Sequence, residues 1–210
     1  MKRLYVLGMS LLIVCSQAWS AEITGFRSAK FGQKESEILA SIKKDLSVSD
    51  KEIATLTDPQ TSMKVLSVKL KSFEPLDAPA IVNYVLGFDC ACLTQVSVNW
   101  DVTGAKDQKA LLIRLGSLVN YFQTMSWKEG ETITSKLLGN PKTGEEGTLV
   151  FFRGENAQRA TITLLGAPVK IKNNKDKKID ANVDGMKNVV LIYDRNTEKV
   201  DSYFIQPGKF

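Results

Sequence analysis

In the run Leu93–Val102, the apolar residues Val96, Val98, Trp100 and Val102 alternate with Gln95, Ser97, Asn99 and Asp101. A period of two over so many residues describes a strand with one face buried and one face wet, the signature of an antiparallel sheet covered on one side. Two further segments follow the same rule. Met63–Phe73 sets Leu66, Val68 and Leu70 against Ser67, Lys69 and Lys71, and Ala80–Phe88 carries Val82, Tyr84, Leu86 and Phe88 in phase. The turn formers of Asp89–Cys92 join the last two strands as a hairpin.

Helical periodicity precedes each group of strands. Gln33–Leu46 places Ile38, Leu39, Ile42 and Leu46 on one stripe, and Ser49-Asp-Lys-Glu52 reads as a capping box opening a short helix toward Leu56. Lys106–Phe122 is a longer helix with Leu111, Leu112, Leu115, Leu118, Val119 and Phe122 as its apolar side, and a short helix near Thr132–Leu138 would stop at Gly139. Strands are expected at Thr148–Arg153, Ala160–Leu165, Asn188–Asp194 and Val200–Ile205, with turns at Gly154-Glu-Asn156 and Asp194-Arg-Asn-Thr197. The expected fold class is α+β. Two consecutive helix, short helix and antiparallel meander units (21–104 and 105–210) would share one compact domain, with helices packed on one face of the sheet.

The N-terminus points to export. Lys2 and Arg3 precede the apolar stretch Leu4–Cys15, and Ala18 and Ser20 supply small residues for cleavage between Ser20 and Ala21, so 1–20 reads as a signal peptide. The stretch falls short of the about 20 apolar residues that a spanning helix needs, and no later segment approaches that length. The expected location is periplasmic or secreted, without a transmembrane span in the mature chain. Losing Lys2 and Arg3 lowers the 28 basic residues to 26 against 23 acidic ones, a net +3 that does not argue for nucleic acid. The one basic concentration, 170–178, reads as a solvated hairpin tip around Asn173, Asn174 and Asp176.

The chain has no histidine. It therefore lacks an imidazole to serve as a base near neutral pH or as a transition-metal ligand. Cys90 and Cys92 are the only cysteines left after processing, and an oxidising compartment would tend to pair them. Short resemblances to penicillin-recognising motifs (Ser41-Ile-Lys-Lys44, Ser49-Asp-Lys51, Lys142-Thr-Gly144) lack the required placement, because Ser41 falls in mid-helix. The glycines of Gly139–Gly144 have phosphate-loop spacing but lead into Glu145-Glu146, which would repel phosphate. Asp180-Ala-Asn-Val-Asp-Gly185 fits a calcium-loop opening, with Asp180, Asn182 and Asp184 as ligands, yet position twelve is Leu191 and the bidentate glutamate is missing. Weak Ca²⁺ is the only cofactor implied.

Phe31-Gly-Gln-Lys-Glu-Ser-Glu-Ile38, Tyr84-Val-Leu-Gly87 and Leu93-Thr-Gln-Val-Ser-Val-Asn-Trp100 together resemble the helix entry and paired strands of the β-lactamase-inhibitor-protein-like fold. Small outer-membrane assembly lipoproteins share that fold, and the whole chain also resembles exported bacterial proteins. The resemblance covers residues 25–102 and extends to the second half by element order. It implies a sheet with helices on one face and the other face free to bind protein. The polar residues Lys69, Lys71, Asn83, Gln95, Ser97 and Asn99 would then form a partner-binding face for a protein of the cell envelope, without enzymatic activity. The alternative is a histidine-free hydrolase using paired carboxylates on envelope material. An outer-membrane barrel is disfavoured by Pro207-Gly208 in the last strand and by the helix at 106–122.

Overall fold

The computed structural model describes residues 22–59, 61–105, 107–138, 145–172, 180–183, 185–196, 198 and 201, with backbone alone at 171–172 and 180–182. The leader, Pro141–Gly144, the lysine-rich stretch 173–178 and the expected strand Val200–Ile205 (Asp201 excepted) lie outside the described residues.

A small ribbon of β1 (Gly25–Phe26) and β2 (Ala29–Lys30) leads into α1 (Glu35–Leu46). The helix starts where expected, because Glu37 Oε2 accepts the Lys34 N–H at 2.9 Å and acids occupy the first turn while Lys43 and Lys44 occupy the last. Ile38 and Ile42 are buried, with Leu39 and Leu46 packed beside them.

Of the two expected short helices, the first is cut to a single 3-10 turn and the second does not form. The Ser49 capping box does close, with the Ser49 N–H and hydroxyl both donating to Glu52 Oε2, but it holds only the 3-10 turn Asp50–Glu52. Ile53–Thr57 then continues as strand β3, since its β-branched Ile53, Thr55 and Thr57 favour extended backbone and find a partner in β4 (Lys64–Phe73). The same correction applies at Thr132–Leu137, where Thr-Ile-Thr opens strand β7 instead of a helix. β5 (Ala78–Leu86) and β6 (Leu93–Asp101) complete the first meander.

After α2 (Gln108–Gln123), capped by Asp107 Oδ1 accepting the Ala110 N–H, come β7, β8 (Glu146–Glu155), β9 (Thr161–Lys172), β10 (Asp180–Asn182) and β11 (Asn188–Asp194). Leu112 does not belong to the buried side of α2 as expected; it is 39% exposed. Strand β8 runs through the expected turn at Gly154, and the chain reverses at Asn156–Arg159 instead. The nine strands form one antiparallel sheet of order β3-β4-β5-β6-β11-β9-β8-β7, with β10 paired onto β9.

Residues of α1 and α2 join those of the strands in one core that includes Ile38, Ile42, Leu66, Val82, Val98, Leu115, Phe152 and Leu164. Trp100 is the largest fully buried side chain in it, stacked on Phe73 with ring centroids 6.1 Å apart, and donates its indole N–H to the Phe73 carbonyl at 2.9 Å. Trp127 covers the backbone of Gly154, where a Cβ would come within 2.5 Å of its ring. Gly154→Ala is therefore expected to cost about 1–3 kcal/mol by overpacking. Gly116→Ala, on α2 with nothing within 4 Å of the added methyl, should stabilise by about 0.5–1 kcal/mol. Denaturant unfolding of both variants checks the pair.

Burial raises two phenols, Tyr84 and Tyr193, the latter to about 12, with Tyr121 adding to the rise and Arg27 opposing it. A raised acid favours folding fully below its unfolded value of 10.0, and that contribution disappears as pH climbs from there toward about 12. The denaturation midpoint should accordingly hold steady below pH 10 and fall above it, with a shallower fall in Tyr193→Phe.

Candidate binding face

Strand register settles which residues share the face opposite the core. One row crosses the sheet as Ser67, Asn83, Ser97, Ile192 and Thr163; a second runs Lys69, Ile81, Asn99, Val190 and Leu165; a third runs Val65, Val85, Gln95, Asp194 and Thr161. Lys69, Asn83, Gln95, Ser97 and Asn99 are thus on one face. Lys71 stands beyond Leu70, where the β4–β5 register shifts, and is exposed.

The polar members contact one another across strands. The Asn83 amide donates to Ser97 Oγ at 3.4 Å, and the Gln95 amide donates to Asp194 Oδ2 at 3.1 Å across the β6–β11 seam. Asn99 differs, since its cross-strand neighbours are the aliphatic Ile81 and Val190. Its Oδ1 is buried without a hydrogen-bond partner among the described residues. Lys69, Lys71 and Lys187 likewise have no ion-pair partner among the described residues.

The face ends in a cleft on either side. One, of about 450 Å³, is lined by Lys69, Ile81, Asn99, Asp101 and Lys187. The other, of about 280 Å³, lies among Val85, Gln95, Asp194, Arg195 and Asp201. Here the chain after β11 latches onto the β5–β6 hairpin: Asp201 accepts the Asp89 and Cys90 N–H groups on its carboxylate and the Phe88 N–H on its carbonyl. Within that hairpin Cys90 and Cys92 are joined by a disulfide, their Cα atoms 5.1 Å apart.

Sequence reasoning found the polar residues and missed the apolar ones. Val65, Ile81, Leu165, Val190 and Ile192 are half-buried on the same face. The available signal was the unbroken apolar run Val189–Tyr193, which leaves no polar side for β11.

A larger cleft, of about 590 Å³, brings Asp77, Asp101, Asp107 and Arg114 together between the start of β5 and the start of α2. Each carboxylate is engaged there. Asp77 Oδ1 accepts the Ser72 hydroxyl at 2.6 Å, Asp107 caps α2, and Asp101 Oδ1 accepts the Thr103 N–H at 3.0 Å. Hydrogen bonds from Thr103 hold the Asp101 carboxyl below its ordinary range, opposite to the shift a general acid needs. Of the calcium-loop residues, Asp180 and Asn182 belong to the backbone of β10, paired opposite Lys172 and Lys170, and Asp184 lies outside the described residues. No group of three or more acidic or cysteine side chains suited to a metal occurs among the described residues. No helix among them is long and apolar enough to cross a membrane.

Comparison with protein-family models, with curated proteins and with solved structures finds no match for the chain.

The unpartnered Asn99 Oδ1 gives a test of what this side chain costs the fold. Asn99→Val removes an unsatisfied buried acceptor, so folding stability should be unchanged or higher by about 1 kcal/mol. Thermal or denaturant unfolding reads the result.

Proposed function

We propose that the protein is an exported, non-enzymatic binding module of the cell envelope that receives a protein partner on the sheet face opposite the core. The observation that carries this reading is the composition of that face. Polar side chains and aliphatic residues are mixed across five strands, giving a broad surface on which Val65, Ile81, Leu165, Val190 and Ile192 are only half covered. A mixed polar and apolar face with charge at its margin has the composition of a non-obligate protein interface. Lys69, Lys71 and Lys187, which have no ion-pair partner among the described residues, supply positive charge that favours an acidic partner surface.

The element order supports a fold of the β-lactamase-inhibitor-protein-like kind, since α1 precedes the meander β3–β6 and α2 precedes the strands that return to it through β11. Helices packed on one side would leave the other side to the partner. The basic, apolar and small-residue pattern of 1–20 supports export. The carboxylate-hydrolase alternative has less support, because Asp77, Asp101 and Asp107 are each engaged in turns, a cap or an ion pair.

A photoreactive residue placed at position 97 in cells should capture one abundant partner, and the same residue at position 44 on α1 should not. Combining Lys69→Glu with Lys71→Glu should lower capture at position 97 by roughly tenfold with folding intact. Equal capture from both positions, or capture untouched by the charge reversal, would contradict the proposal.

A further inference from the structure

The two edges of the sheet are unlike. At the β7 edge, Ser135 has a φ of 53° where pairing with β8 skips from Thr134 to Lys136, and Lys136 adds a charge. A kink in the backbone and a lysine on an edge strand both work against its pairing with another chain. The β3 edge has neither. Ile53-Ala-Thr-Leu-Thr57 carries no charge and no proline, its register with β4 is unbroken, and Ala54 to Thr57 are exposed, Leu56 at 55%.

Two hydrogen bonds at its ends show which backbone groups face outward. The Asp58 N–H donates to the Met63 carbonyl at 2.9 Å, making 58 and 63 a bonded pair. Antiparallel alternation then turns Leu56 and Ala54 toward β4 and turns Ile53, Thr55 and Thr57 toward the open edge. The Ile53 N–H agrees, since it bonds back to the Asp50 carbonyl outside the ladder. The edge therefore offers the Ile53 carbonyl and both backbone groups of Thr55 and Thr57, none with a partner among the described residues.

We propose that this edge is a homotypic interface, in which β3 of a second copy pairs antiparallel about a two-fold axis through Thr55. In that register the two Thr55 residues exchange N–H···O=C bonds in both directions. Each Thr57 N–H meets the Ile53 carbonyl of the other copy, while the Ile53 N–H, already bonded within its own chain, is not required. On the outer face Leu56 comes beside Ala54 of the other copy, a large side chain against a small one. Beyond the strand Glu52 would approach Asp58 of the other copy, so the pairing ends within the five residues of β3. So short a contact makes a weak dimer, with Kd on the order of 100 µM. The pairing would run the sheet across both chains and place their two outer faces on one side; it stands independently of what those faces bind.

Sedimentation of the protein recovered from expression of the full sequence, from about 10 µM to about 1 mM, tests this directly. A concentration-dependent dimer is expected, with amide exchange at Thr55 and Thr57 slowing as concentration rises while exchange at Leu56, bonded to β4, does not change. Thr55→Pro removes an outward donor without breaking a ladder bond and should leave a monomer with an unchanged melting temperature. Leu56→Lys, which keeps every backbone group, should weaken the dimer at least roughly tenfold by placing a charge at the edge. A monomer throughout the range, or a dimer that persists in both variants, would overturn the proposal.

Discussion

The pairing of β6 with β11 is the contact on which the rest of the molecule depends. Seven residues of each strand are in register, from Asn188 opposite Asp101 to Asp194 opposite Gln95. On the core side this sets Trp100, Val98 and Val96 beside Val189, Leu191 and Tyr193, and so makes one continuous core out of two meanders that are far apart in the chain. Closing so long a loop costs chain entropy, which burial along the seam must offset. The same register on the other side joins Gln95 to Asp194, Ser97 to Ile192 and Asn99 to Val190. Without that seam there would be two narrow faces in place of one broad one. The chain beyond β11 reinforces the join, since the Arg195 N–H donates to the Thr94 carbonyl and Asp201 holds the β5–β6 hairpin.

Much of this was legible in the sequence wherever a period ran long enough. Strands β4, β5, β6 and β11 and helices α1 and α2 follow from alternation and helical spacing to within a few residues of their ends. The failures are physical. At Ser49–Glu52 the capping signal is genuine and its hydrogen bonds form, but it is local, and the free side of β4 draws Ile53–Thr57 into the sheet. Thr132–Leu137 fails in the same way, because pairing with β8 outweighs the helix-stop signal at Gly139. Gly154 reads as a turn in isolation, yet it lies within β8 because Trp127 occupies the space where a side chain would be. No residue near Gly154 in sequence announces that requirement.

The candidate face was half legible for a related reason. Polar residues that alternate with a buried stripe identify themselves, so Lys69, Asn83, Gln95, Ser97 and Asn99 could be assigned to one side. Aliphatic residues on that side look the same as core residues until the register is known. Ile81, Val190 and Leu165 therefore emerged only with the sheet, and they change the character of the surface from a solvated polar face to a mixed one, the composition on which the proposed contact with protein rests.

The most direct test of that central claim is the accessibility of the face in the cell compared with the purified protein. A single cysteine replacing Lys69, on a background where Cys90 and Cys92 remain paired, should react readily with a maleimide in the purified protein and be protected in intact cells. Protection at position 69 with free labelling of a cysteine at exposed Lys109 on α2 is the predicted result. Equal labelling at both positions in cells would contradict the account.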